Sequence, residues 1–191
     1  PRDEQSMAPL FAAIAHGSAA GRHDEAFNEI YIARIARGNE GFAVHKLGLY
    51  GLDLASLAHF FAEPFGRPAP ELSASDQALV LNQAGFALRA LGRLSEAVEP
   101  FRGNLRKRIE QEAWKSVAIA ASNLSELLST LGRLRDDPAS GEAGALSVAE
   151  QAVGYADRSG DSFQRMINRS THADALRQAG RWTESAQRYI E

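Results

Sequence analysis

The sequence predicts an all-α protein in which antiparallel helix hairpins stack into a right-handed superhelix. Three observations lead there. Apolar residues recur at spacings of three and four, the period of a helix face, while alternating Val, Ile and Thr runs are nearly absent. The pattern of "ALRALGRLSEAVEPF", Ala87–Phe101, returns as "AAGRHDEAF" at Ala19–Phe27 and as "RQAGRWTESAQRY" at Arg177–Tyr189. A building block recurs where a catalytic motif would occur once. Hairpins of this kind bury their apolar stripes only against neighbours, which makes stacking the expected outcome.

Helices are expected near 4–19, 23–37, 42–62, 74–91, 95–111, 113–131, 144–158, 161–179 and 183–191. Ser95, Asp161 and Thr183 carry the side-chain oxygens that cap helix starts. Gly21, Gly92, Gly132 and Gly180 suit the left-handed backbone that ends a helix, and an arginine follows each. Three of them continue with Glu and then a small residue: Glu25-Ala26, Glu96-Ala97 and Glu184-Ser185. A large side chain follows nine residues after the glycine, at Ile30, Phe101 and Tyr189.

The interval from Gly92 to Gly132 is 40 residues, and that from Gly132 to Gly180 is 48. The excess lies in "RDDPASGEAG", Arg135–Gly144, whose composition reads as a lengthened surface turn. With eight residues removed there, Ala145 falls in the Ala97 column. Register is lost between Gly21 and Gly92, where the linker "EPFGRPAPELSAS" intervenes. The chain therefore reads as a degenerate hairpin over 1–37, an irregular helix and Pro-rich linker over 38–73, and repeats over 74–191 with the third truncated. All belong to one continuous array. Small residues mark close helix crossings: Ala84, Gly85, Ala120, Ala121, Ala173 and Ala175 before the turns, and Ala97, Ala145 and Ala186 after them.

Composition narrows the chemistry. The 191 residues are 45% hydrophobic and 24% charged with a net charge of −3, which gives no global attraction to nucleic acid or anionic membranes. No cysteine is present, which excludes disulfides and thiol catalysis. No apolar run reaches the roughly 18 residues of a membrane span; the greasiest, Gly41–Ala62, is broken by His45, Lys46, Asp53 and His59. The start "PRDEQSMAPLF" lacks a signal-peptide pattern, so a cytoplasmic location is expected. Pro1 in place of Met, and a helical pattern stopping at Glu191, suggest a piece of a longer protein.

No motif assigns a reaction. The histidines, His16, His23, His45, His59 and His172, form no HExxH, and "HDE" at His23–Glu25 lies on a repeat turn, so no metal is expected. There is no phosphate-cradling GxxxxGK[ST] and no GxSxG, and no cofactor is implied. "NLS" at Asn123 and "NRS" at Asn168 fit the glycosylation triplet but fall inside helices. The basic run "RGNLRKR", Arg102–Arg108, is surrounded by Glu96, Glu99, Glu110 and Glu112, and reads as a solvated helix face rather than a nucleic-acid surface. Gly48 and Gly51 in "KLGLYGLDL" read as a site of close helix packing.

"LxxLGRLxEAVxxF" and its relatives resemble tetratricopeptide repeats of the longer, roughly 40-residue kind. The match covers 74–191 well and 4–37 as one degenerate unit, while 38–73 departs from it. Stretches such as "NLSELLSTLG" and "AEQAVGYADRSGD" are also similar in texture to the C-terminal arrays of bacterial multidomain signalling ATPases. The resemblance implies a scaffold whose inner helices line a concave surface. Carried over by position, the groove residues are Asn82, Phe86 and Arg89, then Ser122, Glu126 and Ser129, then Ser170, Asp174 and Arg177. This mixture of an aromatic, acids, arginines and hydroxyls suits a peptide. The expected function is a protein- or peptide-binding sensor or scaffold module, not an enzyme, without nucleic-acid or membrane partners. The alternatives are a self-associating array that pairs as a homodimer, and an enzyme using His45, Asp53, His59 and Glu63 in the 38–73 insert.

Overall fold

Asp3 shows how side chains start these helices. Its carboxylate accepts the Ser6 N–H at 2.8 Å while the Ser6 hydroxyl accepts the Asp3 N–H at 3.2 Å, a reciprocal cap on α1, Glu4–Ala19. The computed structural model describes residues 3–190. After α1 come α2, His23–Glu25, and a π-helix, Ala26–Ala36, here π1. A 3₁₀ turn, Gly38–Glu40, leads to a second π-helix, π2, Phe42–Lys46, and then α3, Tyr50–Ala58. Two short strands follow, β1, Phe61–Glu63, and β2, Arg67–Pro68. The remainder is α4, Ala74–Ala90; α5, Leu94–Glu110; α6, Trp114–Thr130; α7, Ala145–Ser159; α8, Ser162–Gln178; and α9, Trp182–Ile190. The protein is all-α in class, with 74% of it helical. No helix among the described residues is long and apolar enough to cross a membrane.

The four turn glycines share one geometry. Gly21, Gly92, Gly132 and Gly180 have φ between 71° and 78°. At each, the N–H of the following arginine returns to the carbonyl five residues back: Arg22 to Gly17, Arg93 to Leu88, Arg133 to Leu128 and Arg181 to Leu176, all at 2.9 Å. This satisfies helix-end carbonyls that would otherwise be orphaned. Arg22, Arg93 and Arg181 then clasp Glu25, Glu96 and Glu184 through two nitrogens each. The recurrent Arg and Glu are thus one forked ion pair that ties the turn to the first turn of the next helix. Ser95 and Thr183 lie one residue inside α5 and α9 rather than at their caps. Asp161 does cap α8, accepting the Gln164 N–H at 2.9 Å.

The small-residue column is buried at every copy: Ala26, Ala97, Ala145 and Ser185. Ala186, expected at a crossing, is exposed, because the buried register falls on Ser185. A Cβ at Gly85 would lie 2.8 Å from the buried Phe101 ring, so glycine admits an aromatic at this crossing. At the corresponding crossings hydroxyls bond carbonyls instead: Ser125 donates to Ala145 at 2.9 Å, and Ser185 to Ala173 at 2.8 Å.

The single helix expected over 42–62 is not formed. Gly41 and Gly48 sit at φ 55° and 70°, conformations that interrupt a right-handed helix and leave only π2 and α3. A Cβ on Gly48 or Gly51 would meet nothing within 4 Å, so close helix packing does not account for these glycines. Pro64 and Pro68 keep the linker out of helix, and β1 and β2 pair antiparallel across a turn in which Phe65 has φ 55°.

The chain divides into two compact units, Pro1–Gly103 and Asn104–Glu191. These do not coincide with the segments 1–37, 38–73 and 74–191 drawn from the sequence. The first unit is built on an aromatic cluster. Phe27 lies 5.6 Å from Tyr31 and 5.1 Å from Phe60, joined in the core by Met7, Ile14, Ile35 and Leu57. In the second, α6 packs on both α7 and α8, and α8 packs on α9. Its buried residues include Leu124, Leu127 and Leu128 of α6 and Ala145, Ala149, Ala152 and Ala156 of α7, and small side chains of this kind leave room for a close approach.

Candidate functional site

The second unit presents a continuous polar and apolar face along α6 and α8. The two helices are joined by a buried bond between the Ser122 and Thr171 hydroxyls, 3.0 Å, and by Lys115 Nζ to Asp161 Oδ2, 2.6 Å. Their exposed stripes therefore run side by side. Along α8 the stripe follows a helical spacing of three and four: the exposed Phe163, Met166 and Arg177 and the half-buried Ser170 and Asp174. Phe163 is 60% exposed and Met166 55%, which puts two large apolar side chains in solvent on one helix face. The Ser170 hydroxyl returns to the Met166 carbonyl at 3.1 Å. On α6 the neighbours are Ile119 and Glu126, both exposed, and the half-buried Ser129.

A charge network closes one end of this face. Arg177 donates to Asp174 Oδ1 at 3.1 Å, and the Tyr189 hydroxyl of α9 donates to the same oxygen at 2.8 Å. The bond to Asp174 holds the Tyr189 phenol above its ordinary range, with burial a smaller cause. The phenol stays a donor, and Asp174 keeps its fixed orientation. No family model, curated protein or solved structure matches the chain.

Of the nine positions expected in a groove, five lie on this face: Glu126, Ser129, Ser170, Asp174 and Arg177. Ser122 is buried at 4% exposure and serves the joint between α6 and α8. The remaining three lie in the first unit on α4. Asn82 and Arg89 are half-buried there, and the exposed Phe86 ring meets the Phe101 ring edge-on at 5.3 Å. Phe163 and Met166 escaped sequence reasoning, although their spacing on an amphipathic helix was the available signal.

Other sequence features settle into structural roles. Trp114, beside the basic run, stacks on Tyr155 at 6.2 Å and lies under the Arg158 guanidinium at 5.1 Å. Arg108 donates to Gln111 at 3.1 Å. Asn168 is fully buried and bonds the Gln164 carbonyl at 2.8 Å, so its triplet presents no acceptor to solvent. No group of three metal-binding side chains is gathered among the described residues. Within the 38–73 insert, His45 and Asp53 line one pocket, which His59 and Glu63 do not reach.

Proposed function

We propose that the chain is a peptide-binding module, a tetratricopeptide-like array whose ligand lies along the exposed face of α6 and α8. The observation that carries this reading is the exposure of Phe163, Met166 and Ile119 on two helices bonded to each other, with the Asp174–Arg177–Tyr189 network toward the C-terminal end of α8. Apolar anchors bordered by oriented charges and hydroxyls match a short peptide, whose side chains need pockets and whose amides need partners. Packing of α6 on both its hairpin partner and the next inner helix supports the solenoid reading, for which a right-handed superhelix is the expected form. Within such an array the chain acts as the sensor or scaffold part of a larger cytoplasmic bacterial protein, with no catalytic step of its own.

The test is selection of a random peptide display library on the immobilised protein, followed by fluorescence-polarisation titration of the enriched peptides. Replacing Phe163 and Met166 with Ser removes side chains that are already solvent-facing, so the fold should survive while affinity falls tenfold or more. Gln151→Glu on the outward side of α7 should leave affinity unchanged. Absence of enrichment, or equal binding by the Phe163/Met166 variant, would sink the proposal. Peptide-free self-association that is lost in the same variant would point to the homodimer instead.

A further inference from the structure

The first unit holds a second site, unconnected with the peptide-binding reading. Asp53 of α3 is 4% exposed, yet no lysine or arginine among the described residues pairs with it. Among the described residues, its carboxylate accepts a hydrogen bond from the Tyr31 hydroxyl of π1, at a long 3.4 Å. It lines a pocket of about 180 Å³ together with Tyr31, Asn39, His45 and Gln83. Gly38, Asn39 and His45 are exposed, so the pocket opens to solvent at the turn between π1 and π2. That mouth is shaped by glycine: a Cβ at Gly41 would fall 2.3 Å from the His45 ring, which lies directly over the turn.

A carboxylate withdrawn from water without a cation is costly, and the cost is recovered when a cation enters beside it. We infer that the Asp53 pocket binds a small primary ammonium group. The chemistry favours this ligand over the alternatives. An ammonium has three donors and no acceptor, and Asp53, Tyr31, Asn39 and Gln83 together offer oxygens in the same small space. A divalent metal would need more anionic ligands than the single carboxylate here. Burial pushes the Asp53 carboxyl up to about 7, with the Tyr31 bond opposing it slightly, which is the state of a carboxylate lacking its counter-ion. The other titratable groups facing the pocket are Tyr31 from π1 and His45 from π2. The contribution of α4 is the uncharged Gln83, and α1 places no residue in the lining.

The experiment uses n-butylammonium chloride on the whole chain, with 1-butanol and MgCl2 at matched ionic strength as controls. In the unaltered protein, ¹³C NMR should show the Asp53 carboxyl titration moving down by a unit or more on saturation with butylammonium, but not with either control. Calorimetric affinity should fall at least tenfold in Asp53→Asn. A peptide bearing one central lysine distinguishes the source of the ammonium. If it binds tenfold tighter than butylammonium, the pocket takes a lysine side chain; if weaker, a free amine. Butanol or Mg²⁺ moving the titration equally, or butylammonium leaving it unmoved, would overturn the inference whether or not the Asn variant folds.

Discussion

Two residues set opposite limits on how far backbone and side chain can be altered. At Gly85 the space a methyl would need is filled by the buried Phe101 ring. Gly85→Ala gains about 1 kcal/mol in helix propensity but overpacks the crossing by roughly 1–3 kcal/mol, so a net loss in urea midpoint is expected. At Glu112 the problem is the backbone. This non-glycine residue holds φ 51° where α5 ends, with its N–H bonded to Ile109 and the next N–H to Arg108. Gly160 occupies the corresponding position 48 residues later. Glu112→Gly should raise stability by about 1 kcal/mol, since the left-handed penalty of an L-residue exceeds the added chain entropy of glycine. A lower midpoint would mean that the Glu112 side chain matters more than its backbone.

At the scale of elements, the turn after α6 differs from its relatives by insertion. Its tip is stapled by Asp137, which accepts from the Ala139 N–H at 2.9 Å and the Ser140 hydroxyl at 2.8 Å. Asp136 accepts the Gly144 N–H at 2.8 Å ahead of α7. These bonds hold both carboxyls below the ordinary range, the backbone N–H being the leading cause in each. Replacing residues 135–144 with Ser-Glu would restore the spacing of the Gly92 turn and give Arg133 the Glu that Arg93 has in Glu96. Stability should then change by less than about 1 kcal/mol, because closure entropy depends weakly on loop length. An unfolded product, read by circular dichroism, would show that the Ala97 and Ala145 columns are misaligned. That alignment was legible because small residues and turn glycines recur at fixed intervals. The break at 42–62 was hidden because Gly41 and Gly48 interrupt a run whose apolar spacing still reads as helix. Ser122 was misjudged for a related reason. Its column faces the adjacent inner helix here, a fact of packing that one helix's periodicity does not carry.

For the whole molecule, the protonation of Asp53 gives stability an uncommon pH profile. The folded carboxyl titrates near 7 and the unfolded one near 3.8, so the folded state holds a proton across that window that the unfolded chain has released. Stability from this group is therefore present at low pH and lost as pH rises toward 7. The loss is on the order of 3 kcal/mol between pH 5 and 8. Glu25, Glu96, Glu184 and Asp161 act in the other direction. Hydrogen bonds from their Arg or Lys partners lower them, so their contribution is lost as pH falls below the carboxylate range. Urea midpoints of the whole chain at pH 5 and 8 should show the decline, and Asp53→Asn should abolish it. An unchanged profile in the Asn variant would assign the decline to another group. The lone Asp in "LGLYGLDLASLAHF" was the sequence's sign of this centre, although its partner Tyr31 lies 22 residues away and only the fold joins them.

The exposed tip between Asp137 and Gly141 also opens a route to labelling. The chain contains no cysteine, so Ala139→Cys would create a unique thiol at a solvent-facing point braced by its own carboxylate bonds. A dye attached there would sit on the exposed turn between α6 and α7. Under the peptide-binding proposal, energy transfer between that dye and a second one on a peptide would read the proposed binding.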